Sequence, residues 1–355
     1  MSRMMIAMSG GVDSSVAALL MSEKGYQCSG ATMKLYEDES SSCSINTKSC
    51  CALSDIEDAR SVCATLGIDY HVFNFKDKFQ EQVIERFVDS YENGLTPNPC
   101  IDCNRYLKFE HLYKKARILG FDKVVTGHYA IIEEIDGIFY LKKGIDPTKD
   151  QSYFLYDLNQ EQLAHISFPL GSLNKSEVRE IAEKHNFINA KKNDSQDICF
   201  VSKKKYSQFI EEYRNKMYPK GNFVDMDGNI LGQHKGIINY TIGQRRGLGV
   251  SYSEPLYVHK VDAKKNEIVL CKKSELIKKE FDVKNVTYTY LETPPREMKI
   301  TVKTRYRQVE QNATLFSTSK DTVHIVLEEG QDAIAPGQAA VFYDGDIVVG
   351  GGQII

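Results

Sequence analysis

The first 130 residues alternate short apolar segments with amphipathic ones, and this alternation constrains the fold more than any other feature. Strands are predicted at Met4–Ser9, Gln27–Leu35, Tyr70–Phe75 and Lys123–Thr126, with helical patterns between them. Strands that alternate with helices form a parallel sheet covered on both faces. The pattern therefore predicts an α/β, doubly wound parallel sheet, in which ligands bind at the carboxyl ends of the strands.

The rest of the chain has a different character. Beyond residue 220, short β segments are separated by glycine turns, and Asp344-Gly345 lies between two apolar runs as in a hairpin. A chain of 355 residues also exceeds the size at which one hydrophobic core stops growing. We predict an N-terminal doubly wound domain over 1–200, a small central domain over 201–280 and a C-terminal all-β barrel over 281–355.

Charge is distributed unevenly along the chain. Residues 1–200 hold 22 basic and 29 acidic side chains, a net charge of −7, whereas the remainder has a net charge of +4. Because charges separated by more than about 8 Å are largely screened, a basic C-terminal region can bind a polyanion on an acidic protein. No apolar run approaches the ~20 residues that cross a bilayer, and no signal peptide is evident. We expect a cytoplasmic protein without a membrane partner.

A glycine loop follows the first predicted strand. Ser9-Gly10-Gly11-Val12-Asp13-Ser14 can direct backbone N–H groups at phosphate oxygens beside the positive end of a helix. It is not a Walker A motif, because no Gly-Lys-Ser/Thr follows. It resembles the SGGxDS loop of ATP pyrophosphatases, in which Ser9 and Ser14 would donate hydroxyls and Asp13 would hold Mg²⁺ or cap the helix. The alternative is a plain strand-turn-helix connection.

Nine cysteines are an odd number, which favours reduced, reactive or metal-bound thiols over a disulfide framework. Cys100 and Cys103 have C-x-x-C spacing where a proline-rich segment, Thr96–Cys100, enters a helix. We predict that this segment is a loop because of its prolines. The helix N-terminus lowers a thiol pKa there, so a nucleophile, a metal ligand and an inert pair all remain open. Cys199 lies in a polar stretch, and Cys43, Cys50 and Cys51 are expected in a loop.

Taken together, these motifs resemble the tRNA-specific 2-thiouridylases, which replace O2 of the wobble uridine with sulfur. The resemblance covers nearly the whole chain. The matching motifs are Ser9–Ser15, Thr96–Pro99, Cys103-Asn104, Thr126–Tyr129, Lys149–Tyr156, Asp194-Ser195, Ile198–Phe200, Thr241–Gly249, Thr301–Gln308 and Pro336–Gln338. The resemblance implies an adenine nucleotide α-hydrolase-like N-terminal domain, a central domain that contacts tRNA and a β-barrel.

The family chemistry implies ATP and Mg²⁺ as cofactors and a tRNA anticodon loop as substrate. Uracil O2 attacks the ATP α-phosphate, pyrophosphate leaves, and sulfur then displaces AMP. In the family, the cysteine at the position of Cys199 receives a persulfide from a cysteine desulfurase through sulfur-carrier proteins. The cysteine at the position of Cys103 then forms a disulfide with it.

The same resemblance assigns the binding residues. The ATP contacts that it implies are Ala7, Met8, Ser9, Gly10, Gly11, Val12, Asp13, Ser14, Met33 and Gly127. The residues that it places beside the target base are Asn98, Pro99 and Cys100. Those that it places on the rest of the tRNA are His128, Lys149, Asp150, Gln151, Arg305, Tyr306 and Gln338.

Cys100 departs from the family pattern, because many members have an aspartate there with an acid-base role that cysteine cannot inherit unchanged. The substitution makes a second sulfur chemistry available. Cys100, Cys103 and Cys199 would be three thiols, enough to hold a 4Fe-4S cluster with one iron open. A persulfide relay and a cluster therefore both remain as hypotheses.

A basic segment lies near the C-terminus. If Thr301–Gln308 is a strand, Lys303, Arg305 and Arg307 project from one face as a phosphate-binding ridge, although a solvated edge strand gives the same pattern. Two rival functions remain. One is an ATP pyrophosphatase that acts on another substrate, and the other is an inactive RNA-binding or sulfur-carrying protein.

Overall fold

The computed structural model describes residues 2–36, 53–193, 198–201 and 204–355. Its chain packs into two compact units. The first unit comprises Met1–Val83, Cys100–Lys203 and Asp346–Val348, and the second comprises Ile84–Pro99, Lys204–Gly345 and Val349–Ile355. Our predictions for Cys43, Cys50, Cys51 and the Asp194-Ser195 motif lie outside the described residues.

The first unit contains the predicted parallel sheet. Its strands are β1 (Arg3–Ala7), β2 (Gln27–Lys34), β3 (Asp69–Asn74), β4 (Lys123–Val125), β5 (Ala130–Ile135), β6 (Ile138–Lys143) and β7 (Ile166–Ser167). Strands β5 and β6 form an antiparallel hairpin, and the others pair in parallel in the order β3-β2-β1-β4-β7. The doubly wound prediction is confirmed. The strand order reverses between β1 and β4, so the carboxyl end of β1 lies at the switch point, where such sheets bind ligands.

Helices connect these strands and continue into the second unit. The α-helices are α1 (Val12–Glu23), α2 (Leu53–Leu66), α3 (Lys76–Phe79), α4 (Glu85–Glu92), α5 (Pro99–Asp102), α6 (Tyr113–Ile118), α7 (Gln160–Ala164), α8 (Lys175–Lys184) and α9 (Tyr206–Arg214). Two π-helical segments are π1 (Gln80–Ile84) and π2 (Cys103–Leu112), and 3₁₀ turns lie at Ser152–Phe154, Ile237–Asn239 and Lys273–Leu276. None of the helices in the described residues is long and apolar enough to cross a membrane.

Both faces of β1 are buried, which explains its unbroken apolar sequence. Ile6 packs into a cluster with Val16 of α1, whereas Met5 points to the opposite face and packs with Leu112 and Val124. Side chains alternate along a strand, so each face of the sheet has its own core. This packing fixes the end of β1, from which the glycine loop begins.

The second unit is mainly β. Its strands are β8 (Gly221–Val224), β9 (Ile230–His234), β10 (Tyr257–Asp262), β11 (Glu267–Cys271), β12 (Lys278–Tyr288), β13 (Glu297–Lys303), β14 (Gln311–Ser317), β15 (Thr322–Gln331), β16 (Ala339–Asp344) and β17 (Ile347–Ile354). Strands β8 to β11 form one sheet in the order β10-β11-β8-β9. Strands β12 to β17 follow the order β12-β15-β14-β13-β16-β17, and β12 also pairs with β17, which closes the predicted barrel around its apolar core.

Two local predictions were wrong. Helix α5 begins at Pro99, so the loop prediction holds only as far as Asn98; proline is tolerated at the first helical position because its missing N–H has no partner there anyway. Strand β13 ends at Lys303, and residues 304–308 form bends and a turn. Lys303, Arg305 and Arg307 therefore do not form one ridge on a continuous strand.

Candidate functional site

The glycine loop joins β1 to α1 at the switch point and is organised by its own serines. The Ser14 hydroxyl accepts from the Ser9 N–H at 3.2 Å and donates to the Gly11 carbonyl at 3.0 Å. Gly10 has a φ of +71°, which favours glycine, and a Cβ added there would lie 2.4 Å from the Asp55 carbonyl oxygen. Gly10 is therefore required by the shape of the loop itself.

Two residues from a distant part of the chain, Asn189 and Lys192, also hold the glycine loop in place. The Lys192 ammonium donates to Asp55 at 2.5 Å, to Asp58 at 2.6 Å and to the Gly10 carbonyl at 3.2 Å. Asn189, which is 3% exposed, donates to the same carbonyl at 3.0 Å. Burial acts to lower the pKa of Lys192, but the two carboxylates outweigh it and raise that pKa. Sequence reasoning did not single out these two residues, which lie far from the loop along the chain.

Asp13, the first acidic residue of α1, has a buried cation as its partner. The Lys175 ammonium donates to the two Asp13 carboxylate oxygens at 2.6 and 2.8 Å, and the Tyr129 hydroxyl donates to Oδ1 at 2.7 Å. Lys175 is 8% exposed and begins α8. The sequence analysis missed it, although Asn174 and Glu177 are a recognisable capping box that places Lys175 in a first helical turn.

The other predicted ATP contacts lie around the same loop. Ala7 ends β1, Val12 begins α1, and the Met8 N–H donates to the Ala31 carbonyl on β2 at 2.9 Å. Met33 lies near the carboxyl end of β2, as a nucleotide contact requires. A Cβ added to Gly127 would lie 2.7 Å from the Asp13 backbone, so glycine is needed for this close approach.

The two thiols predicted to be catalytic, Cys103 and Cys199, are in the first unit, as is Cys100, which was predicted to lie beside the target base. Cys100 is exposed in α5, and Cys103, half-buried, begins π2. Sequence reasoning predicted an α-helix here; π-helical segments are rare and are frequently found at functional sites. Cys199 is also half-buried, and the neighbouring Phe200 ring packs edge-on against Phe79 with centroids 5.7 Å apart.

A partly buried ion pair anchors segment π2. The Arg105 guanidinium donates to the Asp157 carboxylate, which is 7% exposed. Burial acts to lower the pKa of Arg105, but the Asp157 charge outweighs it and raises that pKa. The pair fixes Arg105, two residues beyond Cys103, because separating it would leave an uncompensated buried charge.

The cluster hypothesis requires three thiols in one place. In the part of the chain that the structure describes, which includes Cys100, Cys103 and Cys199, no three His, Cys, Asp or Glu side chains are arranged to hold a metal ion. The three thiols in this conformation therefore do not fit a 4Fe-4S cluster.

Among the predicted tRNA contacts of the first unit, His128 and Asp150 are buried, whereas Lys149 and Gln151 are half-buried. His128 is 7% exposed, with Nδ1 2.6 Å from the Thr126 hydroxyl and Nε2 3.4 Å from the Lys108 ammonium. Burial, with a smaller effect from Lys108, holds the pKa of His128 well below its usual value, so the ring is neutral at pH 7. Any contact of this imidazole with RNA would be made without a positive charge.

The segment Lys149–Gln151 supports the backbone beside Tyr129. The Asp150 carboxylate accepts from the Gly144 and Ser152 N–H groups at 3.1 Å each. The Gln151 side chain accepts from the Tyr129 N–H at 3.0 Å. Lys149 is half-buried. Asp150 and Gln151 therefore have structural partners in addition to the RNA role that the resemblance implies.

In the second unit, Gln338 holds the proline-rich segment. Its side-chain amide donates to the Thr96 carbonyl at 2.8 Å and to the Pro97 carbonyl at 3.2 Å. The Thr96 N–H donates to the Pro336 carbonyl at 2.9 Å. Gln338 therefore shapes the segment that contains Asn98 and Pro99, and the resemblance places those two residues beside the target base.

Arg305 also has a structural role. Its guanidinium donates to the carbonyls of Ile242 at 3.1 Å and Ala333 at 2.8 Å. These hydrogen bonds connect the barrel to the segment that precedes β10. Tyr306 is half-buried beside it, whereas Arg307 is exposed. Lys303 pairs with Glu310 at 3.5 Å. The three cations predicted to form a ridge therefore have three different environments.

A parallel sheet with a glycine phosphate loop at its switch point defines a HUP-type, ATP-using domain. Residues 2–203 match the family described as tRNA methyl transferase HUP domain, residues 207–272 its PRC-barrel domain and residues 278–354 the aminomethyltransferase beta-barrel domain. The tRNA-specific 2-thiouridylase MnmA of Acetivibrio thermocellus is 46% identical over 99% of both chains. That of Clostridioides difficile is 47% identical over 99% of this chain and 98% of its own. The chain belongs to the tRNA-specific 2-thiouridylase family.

A solved structure shows a more distant likeness. A 4-thiouridine synthetase–RNA complex with bound ATP is 20% identical over 59% of this chain and 50% of that one, with a TM-score of 0.37. At that score the likeness does not bear on function.

Proposed function

We propose that the protein catalyses ATP-dependent 2-thiolation of uridine at the tRNA wobble position and releases AMP and pyrophosphate. The observation that carries this proposal is that the first unit contains both the SGGVDS loop at the switch point and the Cys103 and Cys199 thiols. An ATP pyrophosphatase that acts on a small molecule needs only the loop. Membership of the thiouridylase family supports the same reaction.

The first step activates uracil O2, which is a poor leaving group. O2 attacks the α-phosphate, pyrophosphate leaves, and the resulting adenylate makes departure as AMP possible. The loop N–H groups and the start of α1 bind the phosphates. Asp13 fits a Mg²⁺ ligand, because this ion is usually held by one or two carboxylates together with substrate phosphates. When bound, Mg²⁺ would neutralise phosphate charge.

The second step transfers sulfur. The outer sulfur of a Cys199 persulfide attacks C2, AMP leaves, and Cys199 is joined to the base through a disulfide. The Cys103 thiolate then attacks the Cys199 sulfur, which releases the thiolated base and leaves a Cys103–Cys199 disulfide. An external thiol reduces that disulfide, and a cysteine desulfurase with sulfur carriers supplies the next persulfide.

The reaction is tested with purified protein, ATP, a persulfide donor and two tRNA transcripts that differ only at the wobble base, uridine or cytidine. We expect one AMP, one pyrophosphate and one 2-thiouridine per turnover with the uridine transcript. We expect no pyrophosphate release above background with the cytidine transcript. Equal pyrophosphate release with both transcripts, or with no RNA, would favour a different substrate for the same ATP loop.

The exposed thiol of Cys100 separates the two sulfur chemistries. In the relay, Cys100 is only a neighbour of the target base, so Cys100→Ser should keep thiolation within about tenfold of wild type. A persulfide should still be trapped on Cys199 by alkylation and mass spectrometry. Loss of iron, visible absorbance and thiolation together in anaerobically reconstituted Cys100→Ser would instead establish the cluster.

A further inference from the structure

The Thr241–Gly249 motif forms a loop before β10 that the proposed chemistry does not use. We name it the arginine loop, because its middle residues are Arg245 and Arg246. Both arginines are exposed, and within the described ranges of the chain neither guanidinium pairs with a carboxylate. Leu248, two residues further on, is buried. The loop therefore keeps an apolar side chain inside and presents two adjacent cations to solvent.

Hydrogen bonds hold the backbone of the arginine loop in one shape. The Gln244 side chain accepts from the Thr241 N–H at 3.1 Å and donates to the Arg246 carbonyl at 3.0 Å. The Gly243 N–H donates to the Val258 carbonyl at 2.8 Å, and the Val258 N–H donates to the Gln244 carbonyl at 3.0 Å, which joins the loop to β10. Binding an anion at this loop therefore costs less ordering entropy than it would in a flexible one.

The arginine loop also packs against Ala333, in the turn between β15 and β16. Gly243 has a φ of +83°, and a Cβ added there would lie 2.5 Å from the Ala333 Cβ. The Arg305 guanidinium joins the same two segments, since it donates to the Ile242 and Ala333 carbonyls. Gly243 is therefore needed for the close approach that fixes where the two cations lie.

The same turn contacts the proline-rich segment at its other end. Gln338 donates to the Thr96 and Pro97 carbonyls, and the proposed function places the next residue, Asn98, beside the target base. Ala333 and Gln338 are five residues apart, so their Cα atoms lie within about 18 Å of each other. A short RNA hairpin bound at the proline-rich segment is long enough to reach the arginine loop.

We propose that Arg245 and Arg246 bind backbone phosphates of the tRNA anticodon arm and so hold the RNA while the target base enters the site. The inference rests on the proposed function, since tRNA is the substrate there. A guanidinium suits this role because its planar donors match two phosphate oxygens and it stays charged. Phosphate contacts position a nucleic acid without reading its sequence, so this contact is independent of the wobble base.

Binding of an anticodon stem-loop RNA, followed by fluorescence anisotropy at several salt concentrations, tests the proposal. The variant Arg245→Gln/Arg246→Gln removes two exposed charges and should bind at least about tenfold more weakly than wild type. The slope of log K against log salt should become shallower by about 1.4–1.8, since each lost phosphate contact removes about 0.7–0.9. Stem-loops with uridine or cytidine at the wobble position should lose the same affinity.

A matched control removes the same charge elsewhere on the same sheet. Lys264 and Lys265 are exposed in the turn between β10 and β11, and Lys264→Gln/Lys265→Gln should bind RNA as wild type does. Gly243→Ala keeps both arginines but forces a Cβ against Ala333, so it should also weaken binding. In thiolation assays the arginine variant should raise the KM for tRNA and leave kcat unchanged, as expected when uniform binding is lost.

Each outcome decides one point. Unchanged affinity and salt slope in the arginine variant would overturn the proposal, and so would an equal loss in the lysine variant, which would show only an effect of net charge. A lower kcat at saturating tRNA would place the arginines in the chemical step and overturn it as well. If wild-type protein forms no 2-thiouridine, the proposed function fails, whatever RNA the variants bind.

Discussion

Cys199→Ser should release pyrophosphate in the presence of tRNA and yet form no thiolated uridine. The glycine loop is unchanged, so adenylation continues, but a hydroxyl cannot hold a persulfide. We expect thiolation to fall at least 1,000-fold, which is the scale of losing a catalytic nucleophile. The measurement is 2-thiouridine by mass spectrometry beside pyrophosphate release in the same reaction.

Cys103→Ser should stop the reaction one step later. Cys199 can still attack the adenylated base, but no thiolate resolves the product, so a covalent protein–tRNA adduct should accumulate that added thiol reductant releases. Cys271→Ala is the matched control, because burial, with a smaller effect of Glu275, raises the pKa of that thiol to about 11 and makes it inert. Wild-type thiolation by Cys199→Ser or Cys103→Ser would exclude the relay.

Gly11→Val should abolish pyrophosphate release while the protein remains folded. A Cβ at Gly11 has its nearest neighbour, the Ser9 hydroxyl, at 3.5 Å, which is an ordinary van der Waals contact, so the backbone of the loop need not move. The valine methyl groups would instead occupy the space that phosphate needs in order to reach the loop N–H groups. We expect a loss of at least about 100-fold in tRNA-dependent pyrophosphate release, comparable to removing one preorganised N–H donor.

The controls for this variant come from the same chain. Gly232→Val makes the same substitution on β9, where an added Cβ meets Val250 at 3.6 Å, and it should leave pyrophosphate release unchanged. Gly10→Ala should lower the denaturation midpoint as well as activity. Gly10 has a positive φ, and the added Cβ would clash with the Asp55 backbone. Pyrophosphate release by folded Gly11→Val at the wild-type rate would contradict phosphate binding at this loop.

The sequence predicted correctly those structural features that depend on residues close together along the chain. Strand β1 and the glycine loop were predicted because a short apolar run, a turn and an amphipathic segment are each encoded within a few residues. Segment π2 was predicted as α-helical because its apolar spacing does not distinguish i→i+4 from i→i+5 hydrogen bonding. The end of β13 at Lys303 was missed because alternation continues in the sequence through Arg307, although the backbone bends at Thr304.

The sequence by itself determined the doubly wound sheet, the glycine loop at its switch point and the family, because all three depend on local patterns and contiguous motifs. Only the tertiary structure decided which charges meet at the loop. Lys175 lies 162 residues from Asp13, and Lys192 lies 137 residues from Asp55, so no local spacing connects them. These ion pairs form only when the folded sheet brings together the segments that follow its strands. Burial there makes an unpaired charge costly, so each charged side chain needs a partner.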